Sequence, residues 1–160
     1  MEQLTKLISP SGDFFIDKAG LLIDFVSADI NPLIESNKYP YKSIKTLLVP
    51  EGVKFLPDGF MLGVQVTEQI IFPSTLENFE EGCFMHSQLP EVTIPESVHK
   101  IGAGAFLGSQ IRRLIFKEPI SSLYGRQFKE SKIGELVIPK AMKDSPYFVQ
   151  AEVGMLTIVE

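Results

Sequence analysis

A short apolar segment that ends in proline recurs along this chain at almost constant intervals. Its clearest copies are residues 44–50 (IKTLLVP), 67–73 (TEQIIFP), 89–95 (LPEVTIP) and 133–139 (IGELVIP). A copy at 111–117 has lysine in the last position, and a weaker copy spans 153–159. This last position, called the proline position below, falls at residues 50, 73, 95, 117 and 139, so the steps are 23, 22, 22 and 22 residues. A unit this short cannot bury its own apolar side, so the pattern predicts coils that stack around one continuous core.

Each apolar segment is predicted to form one strand of a parallel sheet. Because strand side chains point alternately to two faces, we expect the residues four and two places before the proline position to point outward. The residues six, three and one place before it are expected to point into the core. In the third copy these inward residues are Leu89, Val92 and Ile94. Proline is expected to end each strand, because it lacks an N–H and has a fixed φ.

The second half of each unit repeats as well. Apolar residues lie three and six places after the proline position, a phenylalanine eleven places after it, and a serine three places further on. The phenylalanines are Phe84, Phe106 and Phe128, with Phe60 one place early, and the serines are Ser87, Ser109 and Ser131. We expect the rings to stack from coil to coil, the serine hydroxyls to bond backbone groups of the turns, and Gly82 and Gly104 to allow tight bends.

The unit from Leu89 to Ser109, LxxVxIPxxVxxIGxxAFxxS, resembles the BspA-like class of leucine-rich repeats, common in bacterial surface proteins. The resemblance covers about residues 44–158. It implies a right-handed repeat solenoid with a parallel β-sheet on the concave face. Short turns and 3₁₀, short helical or strand pieces would form the other side. Lys117 and Val159 depart from the pattern by replacing proline, and residues 140–152 lack the GxxAF signature.

The resemblance also implies a recognition or adhesion module without catalytic residues, whose partner is a host or cell-surface protein. Residues 14–23 resemble the lead-in hairpin of such proteins. We therefore predict an N-terminal cap over residues 1–40, with a β-hairpin around Asp17–Gly20 and an irregular loop through Pro32 and Pro40. Residues 41–160 are predicted to form the coils as one continuous domain. The last strand would present an unpaired edge at which copies of the chain could associate.

Composition excludes several other classes of function. Fifteen basic and 20 acidic residues give a net charge of −5, which argues against a nucleic-acid-binding face. One cysteine and two histidines argue against an intramolecular disulfide and a tetrahedral zinc site, so no cofactor or metal is expected. Nothing approaches the ~20 apolar residues of a membrane span. A native start at Met1 would place the chain in the cytoplasm, whereas removal of a leader would place it outside the cell.

The outward strand positions are the candidate partner-binding surface. Two readings remain open: β-branched residues suit any exposed strand, or these columns form an apolar strip that binds a protein. Arg113 lies between Glu91 and Glu135 on neighbouring strands, so these charges are expected to neutralise one another. We expect Cys83 to be a small core residue rather than half of a metal or nucleophile pair with His86. The candidate residues are Leu48, Gln69, Ile71, Glu91, Thr93, Arg113, Ile115, Glu135 and Val137.

Overall fold

The computed structural model describes residues 3–28, 43–120, 122–123 and 126–160. These residues form a parallel β-solenoid of about five turns with almost no helix, which confirms the predicted repeat solenoid. The strands, in chain order, are β1 (Thr5–Ser9), β2 (Gly12–Ile16), β3 (Leu22–Ser27), β4 (Ser43–Leu48), β5 (Phe55–Leu56), β6 (Gln65–Ile71), β7 (Asn78–Phe79), β8 (Gln88–Ile94), β9 (Lys100–Ile101), β10 (Gln110–Phe116), β11 (Ser122–Leu123), β12 (Lys132–Pro139) and β13 (Glu152–Val159).

The strands belong to three sheets. The predicted strand copies form a six-stranded parallel sheet in the order β13-β12-β10-β8-β6-β4, in which each strand adjoins its neighbours along the repeat. The two-residue strands β5, β7, β9 and β11 form a second parallel sheet on the return side of the coils. These are the short strand pieces that the resemblance implied.

The N-terminal strands β1, β2 and β3 form an antiparallel sheet that packs on the first coil. The predicted hairpin lies between β2 and β3, where the Asp17 carboxylate accepts hydrogen bonds from the backbone N–H groups of Ala19 and Leu21. Phe14, Ile16 and Leu22 join the core of the solenoid. The predicted boundary at residues 40–41 and the loop through Pro32 and Pro40 lie outside the described residues.

The inward columns of β4 to β12 are buried as predicted, with one correction in β6, whereas Leu156 and Ile158 of β13 are 51% and 39% exposed. Leu89, Val92 and Ile94 are 5%, 0% and 1% exposed. In β6, however, Thr67 was expected to point inward and is exposed, whereas Val66 is 3% exposed.

The cause is a β-bulge. Ile44 pairs with Val66 while Thr46 pairs with Gln69, so two residues of β6 lie opposite Lys45 alone. This additional residue accounts for the single 23-residue step in the repeat.

The turn columns confirm the predicted stacking. Phe84, Phe106 and Phe128 are fully buried, and successive rings lie 5.4 and 5.3 Å apart at 7°. The hydroxyls of Ser87, Ser109 and Ser131 each donate a 2.6 Å hydrogen bond to the carbonyl oxygen of the phenylalanine three residues earlier. Phe60 does not join the stack and packs edge-on against Phe84 at 6.3 Å. Met61, the residue after Phe60, is buried and occupies the backbone position that corresponds to Phe84. Its N–H donates to the carbonyl oxygen of Cys83 in the next coil, as the Phe84 N–H donates to that of Ala105.

The last coil takes a shorter path. Residues Lys140–Met142 and Pro146–Phe148 form 3₁₀ turns where the GxxAF signature is lost. Phe148 continues the aromatic column, with its ring 4.9 Å from that of Phe128. Pro139 is the last residue of β12 and pairs with Val159, so this strand ends at its proline as predicted.

Candidate functional site

The outer face of the six-stranded sheet presents the two predicted outward columns. We use "outer face" for the side chains four and two places before each proline position. Ile71 is the most exposed of the candidate apolar residues at 50%, while Leu48 and Ile115 are half-buried. Val137 was expected to be exposed and is only 6% exposed. It lies in register between Ile115 and Thr157, whose side chains flank it.

The charged residues of the outer face form one closed network. Arg113 donates from Nε to Glu135 at 2.8 Å and from Nη1 to Glu91 at 3.1 Å. The Thr157 hydroxyl donates to the second oxygen of Glu135 at 2.9 Å. The hydrogen bond to Glu91 is the main reason that the pKa of the Arg113 guanidinium is raised. The pairing of Arg113 with Glu91 and Glu135 is the one predicted from the sequence.

The other half of the outer face contains a cleft that sequence reasoning missed. Among the described residues, β6 and β8 share a single registered pair, Gln65↔Gln88 at the start of both strands. A cleft of about 740 Å³ lies at the C-terminal ends of these two strands and beside the residues that follow them. It is lined by the candidate residues Gln69, Ile71, Glu91 and Thr93, together with Glu68, Ile70, Phe72, Ser74, Pro95, Glu96, Ser97 and Lys117.

The bulge in β6 lies next to this cleft. Thr67 and Glu68 lie opposite Lys45 alone, and β6 regains its register with β4 at Gln69. With β8 the registered pairing does not resume within the described residues. The signal of the bulge in the sequence is the single 23-residue step of the repeat.

The cleft has both an apolar and a polar lining. Ile71 is its exposed aliphatic residue, and the charged lining consists of three carboxylates and one ammonium group, Lys117. One carboxylate, Glu91, is already bonded to Arg113. The Ser97 Oγ is buried and has no hydrogen-bond partner within the described part of the chain. The cleft can therefore accept an apolar side chain on Ile71 and a hydrogen-bond donor or a cation beside it.

The residues with reactive side chains lie elsewhere. Cys83 is fully buried in the core, as predicted, and this burial is the main reason that the pKa of its thiol is raised well above the usual value. His86 and His99 are both exposed. Within residues 3–28, 43–120, 122–123 and 126–160, no three His, Cys, Asp or Glu side chains converge as a metal site would require.

No helix of this described part has the length and apolar character needed to cross a membrane.

Comparison with known proteins gives one finding. The family model for the BspA type leucine rich repeat region matches residues 33–148 with six copies. Neither the curated proteins nor the solved structures contain a match to this sequence. The matched segment includes β4 to β12 and with them the cleft and most of the outer face.

Proposed function

Because the chain belongs to the BspA-type leucine-rich repeat family, we propose that it is a non-catalytic module that binds a protein partner through the outer face of its sheet. The family is of the protein-interaction or adhesion type, and its fold is generally a non-catalytic scaffold. The proposed binding surface is the part of the outer face around the β6–β8 cleft, with Ile71 at its centre.

One observation carries this proposal: the most exposed apolar side chain among the candidate residues lines the cleft. Ile71 is 50% exposed and lines a concave site with adjacent hydrogen-bonding groups. An apolar anchor surrounded by polar groups is the usual centre of a protein interface. By contrast, the half of the face around Arg113 is closed by its own ion pairs.

The cleft also favours a particular partner chemistry. Glu68 and Glu96 outnumber Lys117 in its lining, so a partner segment with a lysine or arginine next to an apolar residue fits best. The apolar residue would pack on Ile71, and the basic group would lie between the carboxylates. This chemistry agrees with the chain's net charge of −5.

The test replaces the two isoleucines of the outer face, the exposed Ile71 and the half-buried Ile115. We expect the Ile71→Glu/Ile115→Glu variant to lose at least about 30-fold in affinity for a partner isolated with the unmodified chain, as for central interface residues. A matched control, Ile8→Glu/Val26→Glu, adds the same charge at residues that are 76% and 55% exposed in the N-terminal sheet. Isothermal calorimetry measures the affinity, and circular dichroism confirms that both variants fold. Unchanged affinity in the first variant would refute the proposal.

A further inference from the structure

A second groove crosses the sheet at the N-terminal ends of its strands. It has a volume of about 540 Å³ and shares no lining residue with the cleft beside Ile71. Its lining comes from within the first three residues of β6, β8, β10, β12 and β13. The groove is centred on β8, β10 and β12, so it depends on neither end of the chain. Its polar and charged side chains are Gln65, Gln88, Gln110, Arg112, Lys132 and Glu152.

Three glutamine side chains follow one another across this groove. Gln65, Gln88 and Gln110 are in register on adjacent strands, so their side chains recur at the strand spacing of about 4.8 Å. Within the described part of the chain, none of the three side-chain amides has a hydrogen-bond partner. A side-chain amide both donates and accepts hydrogen bonds. The glutamine row can therefore bond the N–H and carbonyl groups of an extended peptide.

Two cations without a counter-ion lie beside the glutamine row. Lys132 continues the row in register with Gln110, and Arg112 lies two residues after Gln110 on the other side of the buried Ile111. Both cations are exposed, and neither makes an ion pair or a hydrogen bond with the residues that the structure describes. From the strand geometry, the Cα atoms of Arg112 and Lys132 lie about 8 Å apart. Their long side chains can therefore reach one common anion.

Gly134 leaves the space beside these cations empty. It follows Lys132 by two residues, and a Cβ there would lie 2.5 Å from the Arg112 carbonyl oxygen. A larger residue would therefore force the backbone to shift, whereas glycine leaves no side chain next to Arg112. Two like charges at this separation repel each other, and a carboxylate placed between them can accept charge-assisted hydrogen bonds from both.

We propose that this groove binds an extended acidic peptide, with one carboxylate bonded to Arg112 and Lys132 and the peptide backbone bonded to the glutamine row. Charge complementarity supports an acidic occupant, because the lining holds two cations and one carboxylate although the whole chain has a net charge of −5. A peptide fits better than an acidic sugar, since sugar rings stack on aromatic side chains and the lining contains none. This site does not rest on the function proposed for the cleft.

Fluorescence anisotropy with a labelled hexapeptide of alternating serine and glutamate tests the site directly. We expect a dissociation constant of roughly 0.1 mM at low salt. Binding should weaken as the ionic strength rises, because the contacts are exposed to solvent. Hexapeptides with glutamine or lysine in place of glutamate should bind at least about tenfold more weakly. Absence of binding by the glutamate peptide at millimolar concentration, or equal binding by the glutamine peptide, would overturn the proposal.

Charge variants assign the binding to the groove. Arg112→Gln/Lys132→Gln should weaken binding of the glutamate peptide at least about tenfold. The matched control Lys18→Gln/Lys143→Gln removes the same charge at exposed residues outside the groove and should change the affinity less than about twofold. Glu152→Gln should tighten binding by about twofold to threefold, because it removes the one carboxylate of the lining. Equal effects of the two double variants would overturn the site.

Two further measurements separate this site from its alternatives. Ile71→Ala alters the cleft without a change of charge and should leave binding of the glutamate peptide unchanged, so the two sites fail or succeed independently. Trigalacturonate presents three carboxylates on a sugar chain and should compete at least about tenfold more weakly than the glutamate peptide. Tighter competition by the sugar would overturn the peptide as the occupant, and loss of binding in Ile71→Ala would overturn the groove as the site.

Discussion

Replacement of Phe106 by alanine tests the stacked core most severely. The ring is fully buried between Phe84 at 5.4 Å and Phe128 at 5.3 Å, and Phe79 contacts it at 5.7 Å. Removal of a large core aromatic costs about 3–5 kcal/mol in free energy of unfolding. We expect the upper half of this range, because aromatic pairs contribute roughly 0.5–1.5 kcal/mol beyond their buried area.

The assay is urea unfolding followed by far-ultraviolet circular dichroism, since the chain contains no tryptophan. The control Leu62→Ala, at a residue that is 41% exposed, should change stability by no more than about 0.5 kcal/mol. Phe106 lies in a central coil, so its loss should also reduce the cooperativity between the two ends of the stack. A loss below 1 kcal/mol for Phe106→Ala would refute the stacked-coil reasoning, because the ring would then not lie between neighbouring coils.

Three further changes test separate parts of the structure. Val66→Ala should cost about 2 kcal/mol in urea unfolding, and Thr67→Ala no more than about 0.5 kcal/mol; equal costs would contradict the bulge. The Cys83 thiol should react with a thiol reagent only after unfolding, and rapid reaction in the native protein would contradict its burial. Glu51, whose pKa is lowered mainly by the hydrogen bond from the Ser74 N–H, should stabilise the fold above its unfolded-state pKa. The stability difference between the native chain and Glu51→Gln should therefore shrink as the pH falls through the lowered pKa, and a pH-independent difference would contradict this role.

The repeat allowed most of the fold to be predicted from the sequence. Residues of one type that recur at a constant interval occupy the same environment in each coil. An accidental match in one coil can therefore be recognised by comparison with the other coils. For this reason the core positions of Phe106 and Ile94, and the hydrogen bond of the Ser109 hydroxyl to a backbone group of its turn, were predicted correctly. The reasoning required no knowledge of long-range contacts, because each coil contacts mainly its neighbours.

Departures from the repeat were predicted poorly, because they depend on local geometry. Counting back from Pro73 assigned Thr67 to the core, although the apolar neighbour Val66 was the better candidate on chemistry alone. Phe148 was missed because it lies nine residues after Pro139 rather than eleven, and the 3₁₀ turns of the last coil shorten the path to the same place.

The candidate surface was predicted in outline but not in shape. The pairing of Arg113 with Glu91 and Glu135 followed directly from the register of adjacent strands. Burial of Val137 did not, because it depends on the side chains that flank it on two other strands. The cleft beside Ile71 was also beyond prediction, since its lining combines residues of β6 and β8 with side chains from the turns that follow them, which the repeat does not specify.

Site-specific photo-cross-linking tests the central claim most directly. A photoreactive residue placed at position 71, at the edge of the cleft, is compared with one at position 103, an exposed turn outside the six-stranded sheet. If the outer face binds a protein, one partner should be captured from position 71 and not from position 103. Equal capture from both positions, or capture from position 103 alone, would contradict the account.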